Sequence, residues 1–108
     1  MTETDILIVE DDKDIATVLG DFLRAKGYVV SIASDGKKAL ALYERYGARL
    51  LILDLMLPGV EGLEVLNHIR KESNTPVLIA SAKNSKEDKL DGLMAGADDY
   101  IEKPYDID

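Results

Sequence analysis

Residues 49–59 read R-L-L-I-L-D-L-M-L-P-G, an apolar run that ends in a carboxylate at Asp54 and turns at Pro58-Gly59. Leu50 to Leu53 show no alternation, so both sides of the segment should be covered, as in a central strand of a parallel sheet with helices on each face. A carboxylate at the carboxyl end of such a strand stands where open α/β sheets hold their ligands. Taken singly, an Asp in that place is more often a turn former or a helix cap. Its meaning therefore depends on how the other apolar runs end.

Upstream, Asp5 to Val9 forms a first strand closed by Glu10-Asp11-Asp12. From Lys13 to Lys26, Ile15, Val18, Leu19, Phe22 and Leu23 recur at helical spacing, with Asp12 as N-cap and Gly27 as the stop. Tyr28 to Ala33 is a second strand. After the turn Ser34-Asp35-Gly36, the segment Lys37 to Tyr46 places Ala39, Leu42, Tyr43 and Tyr46 at helical spacing before Gly47. Arg49 to Asp54 is the third strand.

Downstream, Pro58-Gly59 suits the centre of a type II turn. A third helix over Glu61 to Lys71 carries Leu63, Leu66 and Ile69 on one stripe. Pro76 opens a fourth strand that ends at Ser81, a place where proline is tolerated. Ser85 to Asp88 resembles a capping box before a fourth helix with Leu90, Leu93 and Met94, stopped by Gly96. Tyr100 to Glu102 is a fifth strand, closed by Lys103-Pro104.

Strands alternating with helices through short loops make right-handed βαβ units and a parallel sheet. One edge then collects Glu10 and Asp11, Asp54, Ser81 and Lys103, while strand two is an outer strand. No internal repeat or linker divides the chain.

The 108 residues, 46% hydrophobic and 31% charged, fit one domain with a core of its own. Thirteen basic against twenty-one acidic side chains give a net charge of −8, which disfavours direct binding of nucleic acid or anionic lipid. There is no cysteine for disulfides or thiolate sites. No apolar run reaches the roughly 20 residues of a membrane span, and the acidic start is unlike a signal peptide. A cytoplasmic protein is expected.

Clustered carboxylates repel unless a cation or a bound proton relieves them. Oxygen ligands without His or Cys suit Mg²⁺, which keeps several waters. A hard cation beside Asp54 would neutralise a phosphoryl group under attack by that carboxylate. Lys103 and the Ser81 hydroxyl could hold its remaining oxygens.

Four motifs in register, I-L-I-V-E-D-D, L-I-L-D-L-M-L-P-G, V-L-I-A-S-A and A-G-A-D-D-Y-I-E-K-P, make the chain resemble the receiver domain of two-component response regulators, most like those that precede a winged-helix DNA-binding domain. The resemblance implies a flavodoxin-like, doubly wound, five-stranded parallel sheet in the order 2-1-3-4-5. It makes Asp54 the phospho-acceptor, with a sensor histidine kinase as donor. It makes Asp11, Asp54 and the backbone carbonyl of Met56 direct Mg²⁺ ligands, with Glu10 acting through water. Ser81 and Tyr100 become coupled switch residues, Lys103 the partner of the phosphoryl group, and the Lys103-Pro104 bond cis. The domain would act as a signalling acceptor, with self-catalysed phosphoryl transfer and loss as its only chemistry.

The family's fifth helix is expected to be missing, since the chain stops with Asp106 placed like its N-cap. Residues 1–108 are thus expected to be a receiver truncated before that helix. Two surfaces then offer themselves for a homodimer: the helix-four/strand-five face, where Lys89, Asp98 and Asp99 match family positions, and the bared sheet face. The first helix around Ile15 and the loop at Pro104 are the implied kinase-docking surface.

Several residues also have plainer readings. Tyr100 could simply pack, Met56 and Lys83 could be lids over the site or tuners of phosphoryl lifetime, and His68 is expected to be exposed. Rival functions are an aspartate-nucleophile phosphatase, an FMN binder and a receiver that only binds partners. The first wants a second Asp where Met56 stands. The second wants a hydroxyl- and amide-rich loop where Glu10-Asp11-Asp12 would repel phosphate. The third leaves the complete residue set without a use.

Overall fold

The computed structural model describes residues 3–54, 62–81 and 99–102, with only the backbone described at 63, 72, 80, 81 and 99–102. Five strands form one parallel sheet: β1 (Ile6–Val9), β2 (Val30–Ala33), β3 (Leu50–Leu53), β4 (Val77–Ser81) and β5 (Asp99–Glu102). Their spatial order is β2-β1-β3-β4-β5, as the family resemblance implied. Three helices are described: α1 (Lys13–Ala25), α2 (Gly36–Tyr46) and α3 (Gly62–Glu72). The turn at Pro58-Gly59 and the expected fourth helix lie outside the described residues.

The expected helix punctuation is present. Asp12 caps α1, its Oδ1 accepting from the amides of Asp14 (3.0 Å) and Ile15 (3.2 Å). Gly27 follows with a φ of 98°, a left-handed conformation that disfavours any side chain. Asp35 caps α2 through the Lys38 amide at 2.8 Å, so the helix begins one residue earlier than expected. Strand β2 is two residues shorter than expected at its start. Tyr28 and Val29 are exposed, and Val29 instead ties β1 by donating to Asp5 Oδ2 and accepting from the Asp5 and Ile6 amides.

Alternate strand residues feed two cores. Leu7, Val9, Leu51, Leu53, Val77 and Ile79 face α2 and α3, where they meet Ala39, Val65, Leu66 and Ile69. Ile6, Ile8, Val30 and Ile52 face α1, packed with Leu19 and Leu23. On α1 the expected inward stripe is rotated. Val18 is 56% and Phe22 38% exposed, while Ala16 and Gly20 are buried. The line 16, 19, 20, 23 has the same helical spacing, but its two small members let the helix approach the sheet closely.

Candidate metal and phosphoryl site

The register that pairs Val9 with Leu53 brings the carboxyl ends of β1 and β3 side by side. One further backbone bond beyond each strand fixes the next residue. The Glu10 amide donates to the Ala33 carbonyl and the Asp54 amide to the Val9 carbonyl, both at 3.0 Å. These bonds hold Glu10 and Asp54 in the sheet edge, where they are only 3% and 5% exposed. Asp11 lies one residue past the sheet and is exposed.

One carboxylate oxygen from each of Glu10, Asp11 and Asp54 lies within 4.8 Å of the others. Two buried unit charges at that separation repel by roughly 3 kcal/mol at an effective dielectric of 20. The donor set is oxygen only, and the sole histidine, His68, is elsewhere on α3 with Nε2 3.7 Å from Glu44 Oε1. Such a set fits a hard divalent cation, and the exposed side at Asp11 leaves room for the waters that such a cation retains.

The chain matches the response regulator receiver domain over residues 6–108. It belongs to that family. The sensory transduction protein RegX3 of Mycolicibacterium smegmatis is 46% identical over 102 residues, covering 94% of this chain and 45% of the relative. The uncharacterized transcriptional regulatory protein YrkP of Bacillus subtilis is 50% identical over 100 residues, 93% of this chain and 43% of the relative. The chain thus spans under half the length of these curated relatives. The crystal structure of a two-component response regulator from Clostridium difficile superposes with a TM-score of 0.93 at 28% identity, covering 97% of this chain and 87% of that one. These likenesses lend no support to the phosphatase or FMN readings.

Of the residues expected at the receiver site, Glu10, Asp11 and Asp54 come together. Ser81 ends β4 and Tyr100 lies within β5, opposite Ile79, both with only their backbones described. Met56 and Lys103 lie outside the described residues, as do Lys83, Lys89, Asp98, Pro104 and Asp106; Asp99, likewise described by its backbone, opens β5. His68, expected to be exposed, is only partly so: its side chain is 42% accessible, but its Nε2 is buried, 3.7 Å from Glu44 Oε1. One link is invisible in the sequence: the Asp12 amide donates to Glu10 Oε2 at 3.1 Å. A backbone donor leaves no trace in residue identity. Among the described residues, no helix is long and apolar enough to cross a membrane.

Proposed function

We propose that this receiver accepts a phosphoryl group on Asp54 from the phosphohistidine of a sensor kinase in the cytoplasm, and thereby controls a DNA-binding output domain. The observation that carries this reading is the convergence of Glu10, Asp11 and Asp54, two of them buried, at the sheet's carboxyl edge. Membership of the receiver family gives that convergence its chemical meaning.

An Asp54 oxygen attacks phosphorus, the P–N bond to the donor imidazole breaks as the new P–O bond forms, and water later hydrolyses the resulting acyl phosphate. Mg²⁺ is the cation we assign to the site, where it supplies neutralisation between the carboxylates and the phosphoryl oxygens. Asp11 and Asp54 would hold it directly, Glu10 through water and Met56 by its carbonyl oxygen. Lys103 and Ser81 bind phosphoryl oxygens.

The added charge of roughly −1.5 to −2 biases a two-state equilibrium in which Ser81 and Tyr100 move together at the β4/β5 face. A homodimer through the helix-four/strand-five face is the readout we assign to the phosphorylated state. Incubation with acetyl phosphate and Mg²⁺, followed by intact-mass measurement, tests the acceptor. A single phosphoryl gain, lost in Asp54→Asn and in chelator, is expected. A gain that persists in Asp54→Asn, or no gain at all, overturns the assignment.

A further inference from the structure

Asp11 is the one member of the acidic group that the sheet does not hold. Glu10 and Asp54 are pinned by backbone bonds to neighbouring strands, whereas Asp11 is exposed and lies in a bend between β1 and α1. What flanks it is Asp12, which is tied down through its amide, its carbonyl and one carboxylate oxygen. Its amide donates to Glu10 Oε2 at 3.1 Å. Its Oδ1 accepts from Asp14 and Ile15. Its carbonyl accepts from the Ala16 amide at 3.0 Å. Asp11 is thus strung between a carboxylate fixed to the sheet and a residue locked onto the first turn of a helix.

From this geometry we infer that Asp12 is a positioning residue for the cation site, setting Asp11 against Glu10 and Asp54 by anchoring the β1–α1 bend to α1. The inference rests on the cation role proposed above and extends it to a residue that is not itself a ligand. Partners of ligands commonly matter to affinity in this way, because they remove the freedom a ligand would otherwise lose on binding. Coupling of this kind is reciprocal, so an occupied site also firms the start of α1.

Three variants of the intact chain separate anchoring from its rivals. Asp12→Asn removes the charge but keeps a capping oxygen. Asp12→Ala removes both. Asp12→Gly removes both at little cost to the helix, since glycine is a tolerated N-cap. Mg²⁺ affinity is measured by calorimetry, and the Asp14 and Ile15 amide resonances are followed through the same titration. Asp12→Asn reports the effect of charge alone. Asp12→Ala and Asp12→Gly should bind roughly tenfold more weakly than Asp12→Asn, the lower end of what loss of a ligand's partner costs. Their Asp14 and Ile15 amides should no longer respond to Mg²⁺.

Equal weakening in all three variants means that charge alone acts, and unchanged affinity means that nothing is positioned; either overturns the inference. Both outcomes leave the wild-type cation site standing. A wild-type chain that binds no Mg²⁺ removes the site and the inference together.

Discussion

The two faces of the sheet use the same strands one residue out of phase, yet they are closed differently. Toward α2 and α3, Leu51, Leu53, Val77 and Ile79 are sealed completely or almost so, against an α3 stripe of Val65, Leu66 and Ile69. Toward α1, Ile6 and Ile8 are sealed, but Ile32, Leu50 and Leu78 are only partly covered. Among the described residues, two helices press on the first face and one on the second. That one helix presents small residues at its contact line and turns Val18 and Phe22 outward. Neighbouring leucines in β3 therefore sit in unlike surroundings, and what each contributes depends on which way it points.

The largest effect expected from this difference is at β3. Leu51→Ala opens a cavity in a fully closed layer and should cost about 3–5 kcal/mol, while Leu50→Ala, already part-solvated, should cost about 1–2 kcal/mol. Urea denaturation midpoints at unchanged slope would measure both. Equal losses would mean that the two faces are energetically alike despite their unequal cover.

The faces meet at the carboxyl edge, where charge rather than packing decides. Mg²⁺ at about 100 times its dissociation constant should add about 2.7 kcal/mol to the native state. Asp11→Asn should lose most of that gain, at little structural cost because Asp11 is exposed. Melting curves with Mg²⁺ and with chelator measure the difference. A full Mg²⁺ gain in Asp11→Asn would remove that residue from the site.

Polar closure also belongs to the α2/α3 face. The Tyr43 hydroxyl lies 2.6 Å from both Ser73 Oγ and Thr75 Oγ1, joining α2 to the connection between α3 and β4. Arg70 NH1 donates to the Thr75 carbonyl of the same connection. Tyr43→Phe should cost only about 1 kcal/mol, because Ser73 and Thr75 remain bonded to each other at 3.1 Å. Adding Ser73→Ala to Tyr43→Phe should then cost less than the two single losses combined, a coupling that a double-mutant cycle reads directly.

What the sequence discloses follows the range of the forces involved. Strand order came from the family resemblance, whereas a parallel sheet covered on both faces was legible because unalternating apolar runs such as Ile6 to Val9 and Leu50 to Leu53 and short crossovers are local signals. Caps at Asp12 and stops at Gly27 were legible for the same reason. The acidic group was legible because two apolar runs, β1 and β3, end at one edge, so that topology gathers Glu10, Asp11 and Asp54. The rotation of α1 was not. Ile15, Val18, Leu19, Phe22 and Leu23 satisfy helical periodicity as well as Ala16, Leu19, Gly20 and Leu23 do, and the choice between them is made by how near the helix lies to Ile32. The bond from the Asp12 amide to Glu10 was equally hidden, since every residue but proline carries that donor.

The smallest effect is expected at the close approach itself, and it discriminates most finely between the faces. A Cβ placed on Gly20 would stand 3.0 Å from Ile32 Cδ1, so the isoleucine has to give way by a few tenths of an ångström. Ile32 is only partly buried and the contact is at the tip of its side chain, which leaves it somewhere to go. Against that strain stands the gain of about 1 kcal/mol when alanine replaces glycine inside a helix. Gly20→Ala should therefore leave stability within about 1 kcal/mol of the parent, whereas Gly20→Val, with two methyls to place and a poorer helix former, should lose about 1–3 kcal/mol. If Gly20→Ala alone destabilised as much as Leu51→Ala, the α1 face would have to be packed as rigidly as the other. The partial cover of Ile32, Leu50 and Leu78 would then be no guide to how much either face can yield.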